Sequence, residues 1–165
     1  FLPGLCEEDQ DNTEGSERLM QDRFLSRGKR IDNNEWEYGL PSYDEDGEIE
    51  EIEVWSEDDI NFYSVDPSTV CQCTGIKDKN GKLIFENDIV ETQYGKAVVV
   101  WDKSEWRIKW NDDLIWRKDL HYWANDNSWR IEVVGNKFDN PELLEVQENR
   151  EPIKFYFEKV GEADA

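Results

Sequence analysis

The dipeptide Asn80-Gly81 constrains this chain more than any other feature. Both residue types tolerate left-handed backbone, so the pair favours the two positive-φ positions of a type I′ turn. It closes a polar run, Lys77-Asp78-Lys79-Asn80-Gly81-Lys82, and strand-like apolar residues flank that run on both sides, with Leu83-Ile84-Phe85 following it. A hairpin is predicted over residues 72–90.

The alternation continues on either side of that hairpin. Lys96-Ala97-Val98-Val99-Val100-Trp101 is a β-branched run, Trp106-Arg107-Ile108-Lys109-Trp110 alternates strictly, Leu114-Ile115-Trp116 is short, and Trp129-Arg130-Ile131-Glu132-Val133 alternates again. Upstream, a strand is predicted over residues 23–26, a basic turn at Gly28-Lys29-Arg30 and a second strand over 36–38. Asp46-Gly47 offers another hairpin turn with an extended arm toward Trp55, and Ser56 with Asp59 suggests a brief helical turn. Asn140-Pro141-Glu142-Leu143-Leu144 reads as a short helix with a capping side chain and proline in the first turn. Ile153-Lys154-Phe155-Tyr156-Phe157 reads as an additional strand.

These elements predict a mainly β (β-rich α+β) fold: a small antiparallel barrel or sandwich-like domain with a short C-terminal helix and acidic extensions. Its expected core includes Trp36, Ile84, Ile89, Val98, Val100, Ile108, Ile131 and Val133. The domain is expected over residues 20–145, with an acidic insertion-like segment at 40–66. Residues 1–19 form an acidic extension without apolar period, expected to be disordered, and residues 146–165 form a C-terminal extension.

Charge is the compositional anomaly. The net charge is −21, yet residues 96–137 nearly balance. Between Ile31 and Ile76 the chain carries 14 acids and no lysine, arginine or histidine. Ten of them, Asp44, Glu45, Asp46, Glu48, Glu50, Glu51, Glu53, Glu57, Asp58 and Asp59, fall in 16 residues. Ile49, Ile52, Val54, Trp55, Ile60, Phe62 and Tyr63 are interspersed and expected to anchor the segment to a core. The three basic residues Arg27, Lys29 and Arg30 can contact phosphate or neutralise neighbouring carboxylates, and so acidic a surrounding favours neutralisation.

Catalytic and metal chemistry leave few traces. Gly75 and Gly81-Lys82 resemble a phosphate loop superficially, but five residues separate the glycines where four are needed, and Leu83 replaces the magnesium-binding hydroxyl. The single histidine, His121, has no nucleophile named beside it. An EF-hand register with Gly47 sixth places Asp44, Asp46 and Glu53 suitably, but puts Ser42 first and strands where helices belong. Three cysteines fit a reducing compartment, and Cys71 and Cys73, two apart on one strand face, are poorly placed to bridge each other. No catalytic residue, metal or cofactor is assigned. No apolar run is long enough to span a membrane.

Residues 72–90 also resemble the central signature of the YopX family, small proteins encoded mainly by bacteriophages and prophages. Arg27-Gly28-Lys29-Arg30, Glu35-Trp36 and Tyr38-Gly39 resemble the family's opening, Val65-Asp66-Pro67 its middle, and Gly135-Asn136 with Asp139-Asn140-Pro141-Glu142-Leu143-Leu144 its close. The resemblance spans about residues 27–145. Cys73 stands where the family usually has an aromatic residue. It implies a phage product acting in the host cytoplasm and brings no catalytic residue.

Two binding readings follow, and an unrecognised enzymatic activity remains a third. Trp101, Trp106, Trp110, Trp116, Trp123 and Trp129 lie among basic residues on predicted strands, as on a platform that stacks single-stranded bases. A polyanion approaching this chain meets net repulsion, however. The favoured reading is a non-enzymatic inhibitor: the ten acids from Asp44 to Asp59 mimic DNA and occupy a basic, nucleic-acid-binding host protein, such as a CRISPR nuclease or restriction enzyme.

Overall fold

The computed structural model describes residues 22–56, 58–111 and 115–145. Glu57 and the two extensions, with the strand expected over 153–157, lie outside the described residues. The described residues build two antiparallel sheets. The first contains β1 (Ser26–Arg30), β2 (Trp36–Tyr43), β3 (Ile49–Trp55), β4 (Ile60–Lys77) and β5 (Leu83–Phe85), paired in that order, and β4 returns to pair with β1 as well. The second contains β6 (Asp88–Thr92), β7 (Gly95–Asp102), β8 (Glu105–Lys109) and β9 (Glu132–Asn136), in the order β8-β7-β6-β9. The mainly β expectation holds, although the ladders do not close into a regular barrel. No helix of the described residues is long and apolar enough to cross a membrane.

Strand β4 reaches its length by bulging. Lys29 pairs with Asp66 and Arg27 with Cys71, so residues 67–70 loop out of the ladder. The missing N–H of Pro67 is tolerated at such a bulge. Thr69 Oγ1 closes it by donating to the Asp66 carbonyl at 2.7 Å and accepting the Lys29 N–H at 2.9 Å.

The larger core lies on the second sheet, where Val90, Val99, Ile108, Leu120, Trp123 and Ile131 are buried together. A single π-helical turn, Tyr122–Asp126, lays Trp123 across it. A smaller core joins Cys71, Cys73 and Phe85 to Leu25, Leu83 and Phe138. The thiols share one inward face, and burial pushes both above the ordinary cysteine range.

Several local expectations shift. Strand β1 begins at Ser26, so the basic residues stand inside it and the turn falls at residues 31–35, where Asn34 takes φ 60° and Asn33 Oδ1 accepts the Glu35 N–H. At Asn80-Gly81 only Gly81 has positive φ, 79°, because the Asp78 carboxylate sets the turn by accepting the Asn80 and Lys82 N–H groups, each at 2.9 Å. In β7 it is Ala97 and Val99 that face the core, with Val98 and Val100 half-buried on the other side. Trp36 is half-buried, held edge-on against Phe138. The strand expected over 129–133 starts at Glu132, Leu114 lies outside the described residues, and Ile115 and Trp116 belong to no strand. The 140–144 helix is one 3₁₀ turn, Pro141–Leu144, whose Asn140 side chain does not cap it and instead accepts the Asn136 N–H at 3.3 Å.

Candidate protein-binding surface

The acidic segment is an ordered extension of the first sheet. Strands β2 and β3 pair through Leu40↔Glu53, Pro41↔Ile52 and Ser42↔Glu51, and β3 continues onto β4 through Glu51↔Ser64, Glu53↔Phe62 and Trp55↔Ile60. Ile52, fully buried, pins it. Gly39 lets β3 approach: a Cβ there would overlap the Glu53 carbonyl.

Each acidic turn is built from its own polar groups. Asp44 Oδ1 accepts the Asp46 and Glu48 N–H groups at 2.9 Å, while Gly47 takes φ 82°. At the far end, Ser56 and Asp59 bond each other's backbone, closing a tight β3–β4 turn where a helical turn was expected. Asp44, Glu45, Asp46, Glu48, Glu50, Asp58 and Asp59 are exposed, and Glu51 and Glu53 are half-buried. None of these nine carboxylates forms an ion pair among the described residues. The calcium register does not assemble: Asp44 is committed to its turn, Glu53 sits mid-strand opposite Leu40, and no trio of metal-ligating side chains converges among the described residues.

Nor do the interspersed apolar residues all anchor the segment. Ile52 does, with Ile49, Val54 and Tyr63 half-buried, but Trp55, Ile60 and Phe62 are exposed. Residues opposite one another in antiparallel strands share a face. Leu40, Glu53 and Phe62 therefore form one row, and Trp55 and Ile60 the next, on the face opposite Ile52.

The basic residues at residues 27–30 are spent internally. Arg27 pairs with Asp88 at 2.7 Å, both nearly fully buried, and its guanidinium lies 4.6 Å from the Trp36 ring and 4.9 Å from Phe85. Burial pushes the Asp88 carboxyl up despite this partner. Lys29 pairs with Asp139, and Arg30 with Asp32 and Glu37. Burial also acts to raise Asp139, but Lys29, the Trp36 indole N–H and the Asn136 amide outweigh it and hold the carboxyl down at about 2.

The six tryptophans of the stacking reading separate. Trp110 and Trp123 are core, Trp106 is half-buried against Trp101, and Trp101, Trp116 and Trp129 are exposed. Nearby Arg107 pairs with Glu105 and Asp102, and Arg117 with Asp119. His121 stands at the surface, 3.3 Å from Asp126.

Polar residues of the central stretch act as struts. Asp78, buried, accepts three backbone N–H groups, the third from Val133 at 3.0 Å, and Thr74 Oγ1 donates to the Ile84 carbonyl at 2.8 Å. That stretch lies within residues 26–145, which match a family model described as YopX protein. The chain belongs to the YopX family. In this YopX domain the most recognisable residues thus hold the scaffold, and the acidic hairpin projects from it. The crystal structure of protein EF1440 from Enterococcus faecalis is similar, with 23% identity, covering 73% of this chain and 96% of that one, at a TM-score of 0.48. No curated protein matches.

Proposed function

We propose that this YopX-family protein binds, without catalysis, a basic nucleic-acid-handling or defence protein of a bacterial host through the hairpin β2–β3 and the turn after it. The supporting observation is an ordered run of carboxylates that no cation of the described residues neutralises. From Glu48 to Glu53 the extended chain covers about 17 Å. It places four carboxylates there. Successive strand residues face opposite ways, so Glu51 and Glu53 share one face about 7 Å apart, about twice the 3.4 Å rise per phosphate on one strand of B-DNA. Charges fixed on paired strands lose little entropy on binding, unlike those of a loose tail.

The test is capture from host lysate at low and high salt, followed by competition with duplex DNA. A basic nucleic-acid-binding protein should be retained at low salt and released by DNA. Reversing Glu48, Glu50, Glu51 and Glu53 to lysine should abolish retention. Retention indifferent to both the reversal and DNA overturns the proposal. Direct binding of oligonucleotides, lost on replacing the exposed Trp101, Trp116 and Trp129, would put the stacking platform in its place.

A further inference from the structure

We infer that the hairpin recognises a protein surface with an apolar centre ringed by arginine or lysine, rather than any partner that offers positive charge alone. The inference rests on the proposal above and specifies its partner. On β2, Trp36 and Tyr38 point to one face, where Phe138 covers Trp36 and Phe85 partly covers Tyr38, which stays 48% exposed. Past Tyr38 that cover ends. The same face continues onto β3 and β4 as Leu40, Phe62, Trp55 and Ile60, exposed by 40%, 53%, 62% and 38%. Neighbouring rows on a strand pair bring these side chains within reach of each other. A contiguous exposed apolar patch on a soluble protein marks an interaction site.

The carboxylates determine what can cover it. Glu53 lies in the patch between Leu40 and Phe62, Glu51 is in the next row, and Asp58 and Asp59 line the same open cleft as Trp55 and Ile60. Covering the patch with an apolar surface alone would bury Glu53 unpaired, a heavy penalty. A second copy brings the same carboxylates and a further charge of −21. A nucleic acid is repelled likewise. A basic protein surface satisfies both chemistries: its cations meet Glu51, Glu53, Asp58 and Asp59 while its apolar side chains cover Trp55 and Phe62. Exposed tryptophan at the centre of a rim of charge is also the usual makeup of a binding hot spot.

Two short peptides of equal length and equal positive charge test this on the full chain. One contains arginine with glycine and serine, the other arginine with leucine and isoleucine, and binding is followed by calorimetry and by amide NMR shifts. The apolar-basic peptide should bind about tenfold more tightly, shifting residues 40, 53, 55 and 62. Trp55→Ala and Phe62→Ala should erase that advantage while leaving the polar-basic peptide within about twofold. Both side chains are exposed, so the fold survives their loss. Equal affinities for the two peptides, both lost in Glu51→Lys/Glu53→Lys, overturn this inference and leave the acidic-surface proposal standing. If neither peptide binds, the proposal itself fails. Binding that appears only when residues 146–165 are removed assigns the patch to the chain's own tail, and a single-stranded oligonucleotide shifting the same residues assigns it to nucleic acid. Either result overturns the inference.

Discussion

Removing Asp88 should damage this domain more than removing its partner Arg27. The two side chains, 5% and 1% exposed, meet at 2.7 Å and tie β1 of the first sheet to β6 of the second across 61 residues of chain. In Asp88→Ala the guanidinium keeps its charge, and its Nε already lacks a partner among the described residues. Breaking a buried pair this way costs about 3–5 kcal/mol. The Phe85 N–H, which donates to Asp88 Oδ2 at 2.8 Å, is orphaned too, adding roughly 1 kcal/mol or more. Arg27→Met is different. It retains an apolar side chain between Trp36 and Phe85, and the remaining carboxyl can neutralise itself by taking up a proton. Its folded pKa, already raised by burial, rises further without Arg27. A carboxyl raised in the folded state stabilises below its unfolded pKa and loses that contribution as pH rises through the folded value. The Arg27→Met penalty, about 2 kcal/mol at neutral pH, should therefore shrink toward acid. Urea unfolding followed by tryptophan fluorescence measures both variants. An Asp88→Ala variant within about 1 kcal/mol of the parent, or an Arg27→Met penalty that exceeds it and ignores pH, refutes the reasoning.

Three more perturbations probe the scaffold. Gly39→Ala should lower stability by about 2 kcal/mol or more and raise amide exchange in β2 and β3, because the new Cβ meets the Glu53 backbone, which cannot yield as a side chain could. Asp78→Ala strands the Asn80, Lys82 and Val133 N–H groups; a loss of about 2–4 kcal/mol is expected in urea melts, with Asp78→Asn losing less. Asp139, depressed to about 2 from 3.8, contributes stability above the unfolded value that is lost as pH falls through the folded one. Screening of this partly exposed group leaves about 1 kcal/mol, so thermal melts should show Asp139→Asn losing that much less than the parent between neutral pH and pH ~2.

Where local chemistry decides, the chain is legible before folding. The hairpin around residues 78–83, the strands over 95–102 and 105–109 and the turn at Pro141 follow from turn residues and period-two alternation. Val98-Val99-Val100 is apolar at both parities, so alternation cannot choose its inward face, and the structure resolves it by turning Val99 to Ile108 and Leu120. The basic triplet mimics a turn motif locally, but its partners Asp88 and Asp139 are distant in sequence, and burial with them fixes it in a strand. The acidic hairpin was visible as charge, whereas the exposure of Trp55 and Phe62 depends on their register opposite Ile52's face. The signal available was the parity that Trp55 shares with Glu51 and Glu53.

The most direct test of the hairpin as a binding surface is the association rate of the domain with the partner recovered from lysate, measured against ionic strength. Steering by fixed carboxylates predicts that the rate falls steeply as the screening length drops below about 10 Å. Reversal of Glu48, Glu50, Glu51 and Glu53 should remove both the speed and the salt dependence. A rate that is flat in salt and unchanged by the reversal contradicts the reading.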